Sequence, residues 1–158
     1  MMMNKKPNLL LAEHKLLIDS PVERVFDFLA NHENYARWYP NVMSVVSGNT
    51  LPHGQVGKFY EEAIRLPTRR VQKIRIAVVE SRPPELLVTE GEFPPLHPRM
   101  EVRLSPQPSG ATLLHWQFFS RSQSAIGRRM IPLLLGKNLL RDSRTGLARM
   151  KSMVEDKG

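Results

Sequence analysis

The chain has 158 residues, of which 41% are hydrophobic and 24% charged, with a formal charge of +8; this suits one globular domain large enough to bury a core. It contains no cysteine, which excludes thiol catalysis, disulfides and cysteine-based zinc sites and is compatible with the cytoplasm. The leucine runs at residues 9–11 and 133–135 are far too short for a signal-peptide core or a membrane span.

Residues 1–8 are polar and are expected to form a flexible tail. Residues 9–18 read as a first strand, with Leu10, Ala12, His14, Leu16 and Ile18 on one face and Glu13 and Lys15 on the other. A helix start follows. Ser20 is placed to cap it, Pro21 suits a first helical position, and Glu23 lies three residues after Ser20 as in a capping box. Val22, Val25, Phe26 and Leu29 then recur at helical spacing. A second short helix carries Tyr35, Trp38 and Tyr39.

Residues 42–46 form a short strand, followed by turn chemistry at Gly48, Asn49, Pro52 and Gly54. Residues 56–66 and 71–80 read as a long hairpin around Pro67 and Thr68. Pro83 and Pro84 end it, and residues 86–92 form another strand. Three prolines make residues 93–98 an irregular loop. Residues 99–104 alternate strictly, residues 106–110 turn, and residues 112–120 form the last strand. From about residue 124 to 155 the period is helical. Pro132 requires this helix to start near it or to kink, and Gly136 and Gly146 weaken it.

This order, one antiparallel sheet with segregated helices, defines an α+β domain spanning the chain. A strand ending in Ile18-Asp19, then Pro21, Val25 and Phe26, then Tyr35-x-x-Trp38-x-Pro40, resembles the START/Bet v 1-like (SRPBCC) superfamily, and within it the polyketide cyclase/dehydrase and lipid-transport type. The resemblance covers nearly the whole chain. It implies a helix-grip fold: a curved sheet of about seven strands around the long C-terminal helix, with two short helices after the first strand and a cavity between. It also implies that Trp38 packs inward.

A cavity in that fold would be lined by the inward set of the strands, namely Ile74, Ile76, Val78, Met100, Val102, Leu104, Leu114, Trp116 and Phe118. From the helix come Met130, Leu133, Leu140 and Leu147, with Arg144 and Lys137 close to the same face. Such a lining suits a lipid, isoprenoid or polycyclic, polyketide-like molecule. Polar candidates are few. His14 shares the parity of Leu16 and Ile18, and of Glu61 and Glu62, adjacent on a strand, one must face inward. Arg144 can reach the mouth along its aliphatic stem. Tyr35 or Tyr39 can close the entrance.

No phosphate loop, HExxH motif or nucleophile elbow is present. The five histidines are scattered without metal-ligand spacing, and no metal or cofactor is called for. Three functions remain open. The chain sequesters or carries a hydrophobic molecule; or it is a cyclase/dehydratase using His14, Glu61 or Glu62; or its basic face, which includes Arg128, Arg129, Lys137, Arg141, Arg144 and Arg149, docks on an anionic lipid, RNA or acidic protein surface. Two inward titratable groups within hydrogen-bond reach of one pocket would put the enzyme first. The oligomeric state is left open.

Overall fold

A computed structural model describes residues 4–156. The elements run β1 (Leu9–Ile18), α1 (Val22–Ala30), a single 3₁₀ turn (His32–Asn34), α2 (Tyr35–Trp38), β2 (Val42–Ser47), β3 (Phe59–Arg65), β4 (Val71–Arg82), β5 (Leu86–Glu92), β6 (Pro98–Pro106), β7 (Thr112–Ser120) and α3 (Ala125–Glu155). Among the described residues the strands form one antiparallel sheet of order β1-β7-β6-β5-β4-β3-β2. This is the expected α+β helix-grip arrangement. The first strand lies beside the last, so β1 and β2 occupy opposite edges.

The apolar faces meet in one core. Ile18, Val25, Leu114, Trp116 and Met150 are fully buried there, and Trp38 is 2% exposed. Val22, Val25, Phe26 and Leu29 all face inward from α1, as their spacing requires.

Several local expectations give way to tertiary contacts. The residue capping α1 is Pro21, without a side-chain hydrogen bond, and the Ser20 hydroxyl is buried without a partner among the described residues. Ser20 instead serves through its backbone: its N–H donates to the Ile18 carbonyl over 2.9 Å, and its carbonyl accepts from the Thr112 hydroxyl over 2.7 Å. The corner between β1 and α1 is thereby fastened to β7. A register shift between Leu10 and Ala12 turns Leu10 outward, where it is 45% exposed. Gly57, at φ 97°, holds a turn and delays β3 to Phe59. Pro98 is tolerated as the first residue of β6.

The long helix starts well before Pro132. Ser124 caps it by accepting from the Gly127 N–H at 3.1 Å, and Pro132 lies inside the helix. The N-terminal segment is not free either: the Lys6 N–H donates to Gln123 and Arg128 donates to the Pro7 carbonyl. Residues 1–3 of the expected tail lie outside the described residues.

Gly146 sits where α3 crosses α2. A Cβ there would stand 3.2 Å from the Trp38 carbonyl oxygen and 3.3 Å from Pro40 Cδ. Its poor helix propensity is thus the condition for close packing. Gly146→Leu is expected to cost about 2 kcal/mol net, overpacking outweighing the propensity gain. Thermal denaturation should show a melting temperature lower by about 6 °C.

Candidate functional site

A cavity of about 460 Å³ lies between the sheet and the middle of α3, within the size range of small-molecule sites. The sheet contributes Glu62 and Ile64 from β3, Ile74 and Ile76 from β4, and Met100 from β6, with Phe118 from β7 behind them. Leu135 and Leu139 of α3 cover this floor. The 3₁₀ turn and α2 close one side with His32, Tyr35 and Tyr39, and Arg65, Arg69 and Arg141 also border the space. Gly91 on β5 is part of the wall; a Cβ there would meet Ile76 and Pro98 at 2.8 Å.

Within the mainly apolar wall an imidazole and a carboxyl group meet, and Arg141 pairs with Asp142 at its border over 3.4 Å. His32 Nε2 lies 3.1 Å from Glu62 Oε2, with the two side chains only 7% and 6% exposed. Strand parity decides between the adjacent glutamates: Glu62 is buried opposite Ile74, whereas Glu61 is exposed opposite Arg75. His32 is positioned by the turn that follows α1, where the Asn31 side chain accepts from the Glu33 N–H. Its ring stacks on Tyr35 at 4.6 Å, and Tyr35 stacks on Tyr39 at 4.8 Å. Trp38 meets Tyr35 edge-on at 4.8 Å. Glu62 Oε1 takes no hydrogen bond from a described residue.

The tyrosines beside this pair stay protonated. Burial raises the Tyr35 hydroxyl well above its ordinary range, and the neighbouring Tyr39 and Glu62 raise it further. Burial, then the charges of Asp142 and Glu62, do the same for Tyr39, whose hydroxyl has no partner among the described residues. Tyr60, beside His32, is pushed up to about 12, chiefly by burial; its hydroxyl donates to the Ala30 carbonyl. The arrangement is a carboxylate and an imidazole in contact, flanked by neutral phenols, at the edge of an apolar space. It has the parts for moving a proton.

The expected lining divides in three. Ile74, Ile76, Met100 and Phe118 border the cavity. Val78, Val102, Leu104, Leu114, Trp116 and Leu147 instead pack against one another in the core. Met130, Leu133, Leu140 and Arg144 point outward, because the buried stripe of α3 runs through Ile131, Ser143, Gly146, Leu147, Met150 and Val154. Small and polar residues in that stripe, Ser143 and Gly146, made the true inner face inconspicuous. His14 also stays clear of the cavity. Its Nε2 lies 2.7 Å from the Ser143 hydroxyl, and its ring lies 5.8 Å from Trp116. Ser143 gives its own proton to the Leu140 carbonyl, so His14 Nε2–H is the donor. His32, Tyr39, Leu135 and Leu139 were not singled out as lining by hydrophobic periodicity. No group of three or more metal-ligating side chains occurs among the described residues.

A family model described as polyketide cyclase/dehydrase and lipid transport matches residues 12–155. Solved structures share the fold. The di-domain aromatase/cyclase StfQ from the steffimycin biosynthetic pathway superposes with a TM-score of 0.71 at 18% identity, over 93% of this chain and 51% of that one; this chain thus spans about half its length. A START superfamily protein from Mycobacterium smegmatis gives 0.70 at 13% identity, over 92% and 97% of the two chains. The Zhui aromatase/cyclase from a Streptomyces species gives 0.65 at 18% identity, over 91% and 92%. No curated protein matches the chain in sequence.

His14 bears on stability rather than on the cavity. Burial, then the charge of Arg144, lower its pKa. Below the ordinary histidine value of about 6.5, the unfolded chain therefore takes up more protons than the folded one, and stability falls as pH falls. Melting temperatures measured from pH 8 to 5 should drop less steeply for His14→Gln than for the wild type.

Proposed function

Because this chain belongs to the polyketide cyclase/dehydrase and lipid-transport family, we propose that it takes an apolar, ring-forming small molecule into its cavity and that Glu62, oriented by His32, moves protons on it. The contact between His32 and Glu62 inside the cavity wall carries this reading. Burial of apolar ligand area supplies the affinity, about 2.5 kcal/mol for each 100 Å² before the costs of association. Glu62 Oε1 is the proton acceptor. Removal of a proton from a carbon between two carbonyl groups leaves an enolate; its attack on a further carbonyl forms the ring bond and an alkoxide, which takes the proton back from Glu62. Glu62 then removes the second proton of the same carbon and gives it to the departing hydroxyl, which leaves as water as the carbon–carbon double bond forms. The His32 contact holds the carboxylate in place, and the protonated tyrosines supply neutral hydroxyls nearby.

The same apolar walls support a second reading, a carrier that shelters its ligand unchanged. Ile64, Ile76, Leu135 and Leu139 favour any hydrophobic guest of suitable size, whether or not a proton moves.

The two readings separate on one residue. With a poly-β-ketone thioester as substrate, the wild type is expected to release a cyclised, dehydrated product. Glu62→Gln should convert it about 10²–10⁴-fold more slowly while changing ligand affinity less than about tenfold. Product analysis by liquid chromatography with mass spectrometry reads the first quantity, and native mass spectrometry the second. No conversion by the wild type, together with an intact co-purifying apolar molecule, would give the function to the carrier.

A further inference from the structure

The N-terminal half of α3 turns an apolar face outward. Ile126, Leu133 and Leu134 are 77%, 75% and 68% exposed, and Met130 is 41% exposed. At 100° per residue these four fall within about a third of the helix circumference, on the side away from the buried Ile131. Further along, the same arc carries Lys137 and Arg144, both exposed, while Arg141 turns to Asp142 at the border of the cavity. The face is therefore apolar over its first half and basic over its second.

The charge on this segment is one-sided. Residues 125–140 include Arg128, Arg129 and Lys137 and no acidic residue. The first turn has no acidic side chain, although the helix dipole favours one there and disfavours the nearby arginines. Arg129, Lys137 and Arg144 form no ion pair with a described residue. Exposed leucines leave apolar area in water and cations in the first turn oppose the helix dipole, and a local rule broken in this way marks a functional surface.

We propose that this face lies on an anionic lipid bilayer, with Ile126, Met130, Leu133 and Leu134 at the boundary of the acyl chains and Lys137 and Arg144 among the headgroup phosphates. No helix of the described residues is long and apolar enough to cross a membrane; an amphipathic basic helix lies in the interface instead. Charge selects the occupant. A second copy of this chain also carries +8, and either two-fold pairing of the face would set basic side chains against leucines or against other basic side chains. A nucleic acid would satisfy the cations and leave the leucines in water. An anionic bilayer satisfies both halves. Leu135 and Leu139, on the opposite side of the same segment, border the cavity, so docking would bring the cavity to within about one helix diameter, roughly 10 Å, of the lipid. The docking does not depend on proton transfer within the cavity.

Co-sedimentation with vesicles tests this. The full chain should bind vesicles of phosphatidylcholine mixed with phosphatidylglycerol and not those of phosphatidylcholine alone, and salt should weaken binding. The doubly substituted Leu133→Asp, Leu134→Asp chain should lose at least about tenfold in affinity, and Lys137→Gln and Arg144→Gln about fivefold each, with melting temperatures near that of the wild type because the side chains are exposed. Absence of binding, equal binding to both vesicle types, or unchanged binding by the leucine variant would overturn the proposal. So would a dimer in solution, measured by light scattering, that the leucine substitutions dissociate; that result would assign the face to a second copy. The charge variants and the lipid comparison keep the test decisive if the leucine variant does not fold.

Discussion

The pairing of β1 with β7 is the constraint from which the rest of the molecule follows. Once the first strand lies beside the last, and β2 closes the far edge, the chain between Ile18 and Val42 must travel from one side of the sheet to the other. It does so as α1, the 3₁₀ turn and α2, and this passage brings His32, Tyr35 and Tyr39 over the sheet beside β3. The long helix covers the remaining inner face, where Met150 and Leu147 fill the core and Leu135 and Leu139 stand back from it. The cavity is the space the crossing segment and the long helix do not fill.

Within that space the chemistry is concentrated. Most of the wall is hydrocarbon, and a buried carboxylate in such surroundings requires a partner. Glu62 has His32. Tyr35, stacked on the histidine, and Tyr39, stacked on Tyr35, are raised by burial and by the same carboxylate, so the aromatic ladder is neutral while the pair beside it is the place where a proton can move. A single strand position separates this arrangement from solvent: Glu61, one residue earlier, points to water.

The elements themselves were largely legible in the sequence. The strands at 86–92 and 112–120, the helical face of Val22, Val25, Phe26 and Leu29, and the inward Trp38 follow from periodicity and from the family motif. The site was less so, for physical reasons. His32 and Glu62 are 30 residues apart, and nothing local announces that a turn after α1 will meet the third strand. The inner face of α3 was misplaced because hydrophobicity marks Met130, Leu133 and Leu140, whereas packing uses Ser143 and Gly146. Close approach of helices requires small residues, and small residues carry little hydrophobic signal. Ser20 has the chemistry of a cap, but its carbonyl is claimed by Thr112, and that tertiary bond decides its place.

The partnership of β1 and β7 has a consequence for how the molecule comes into being. Residues 9–18 leave the ribosome well before their partners, residues 112–120, from which about a hundred residues separate them. Until then β1 has no neighbour, since β2 belongs to the opposite edge. The sheet thus cannot close vectorially; β1 waits until β7 has been made, and the long loop that must then be gathered makes this a slow-folding topology. During synthesis the apolar side of β1 depends on whatever else in the cell will shelter it.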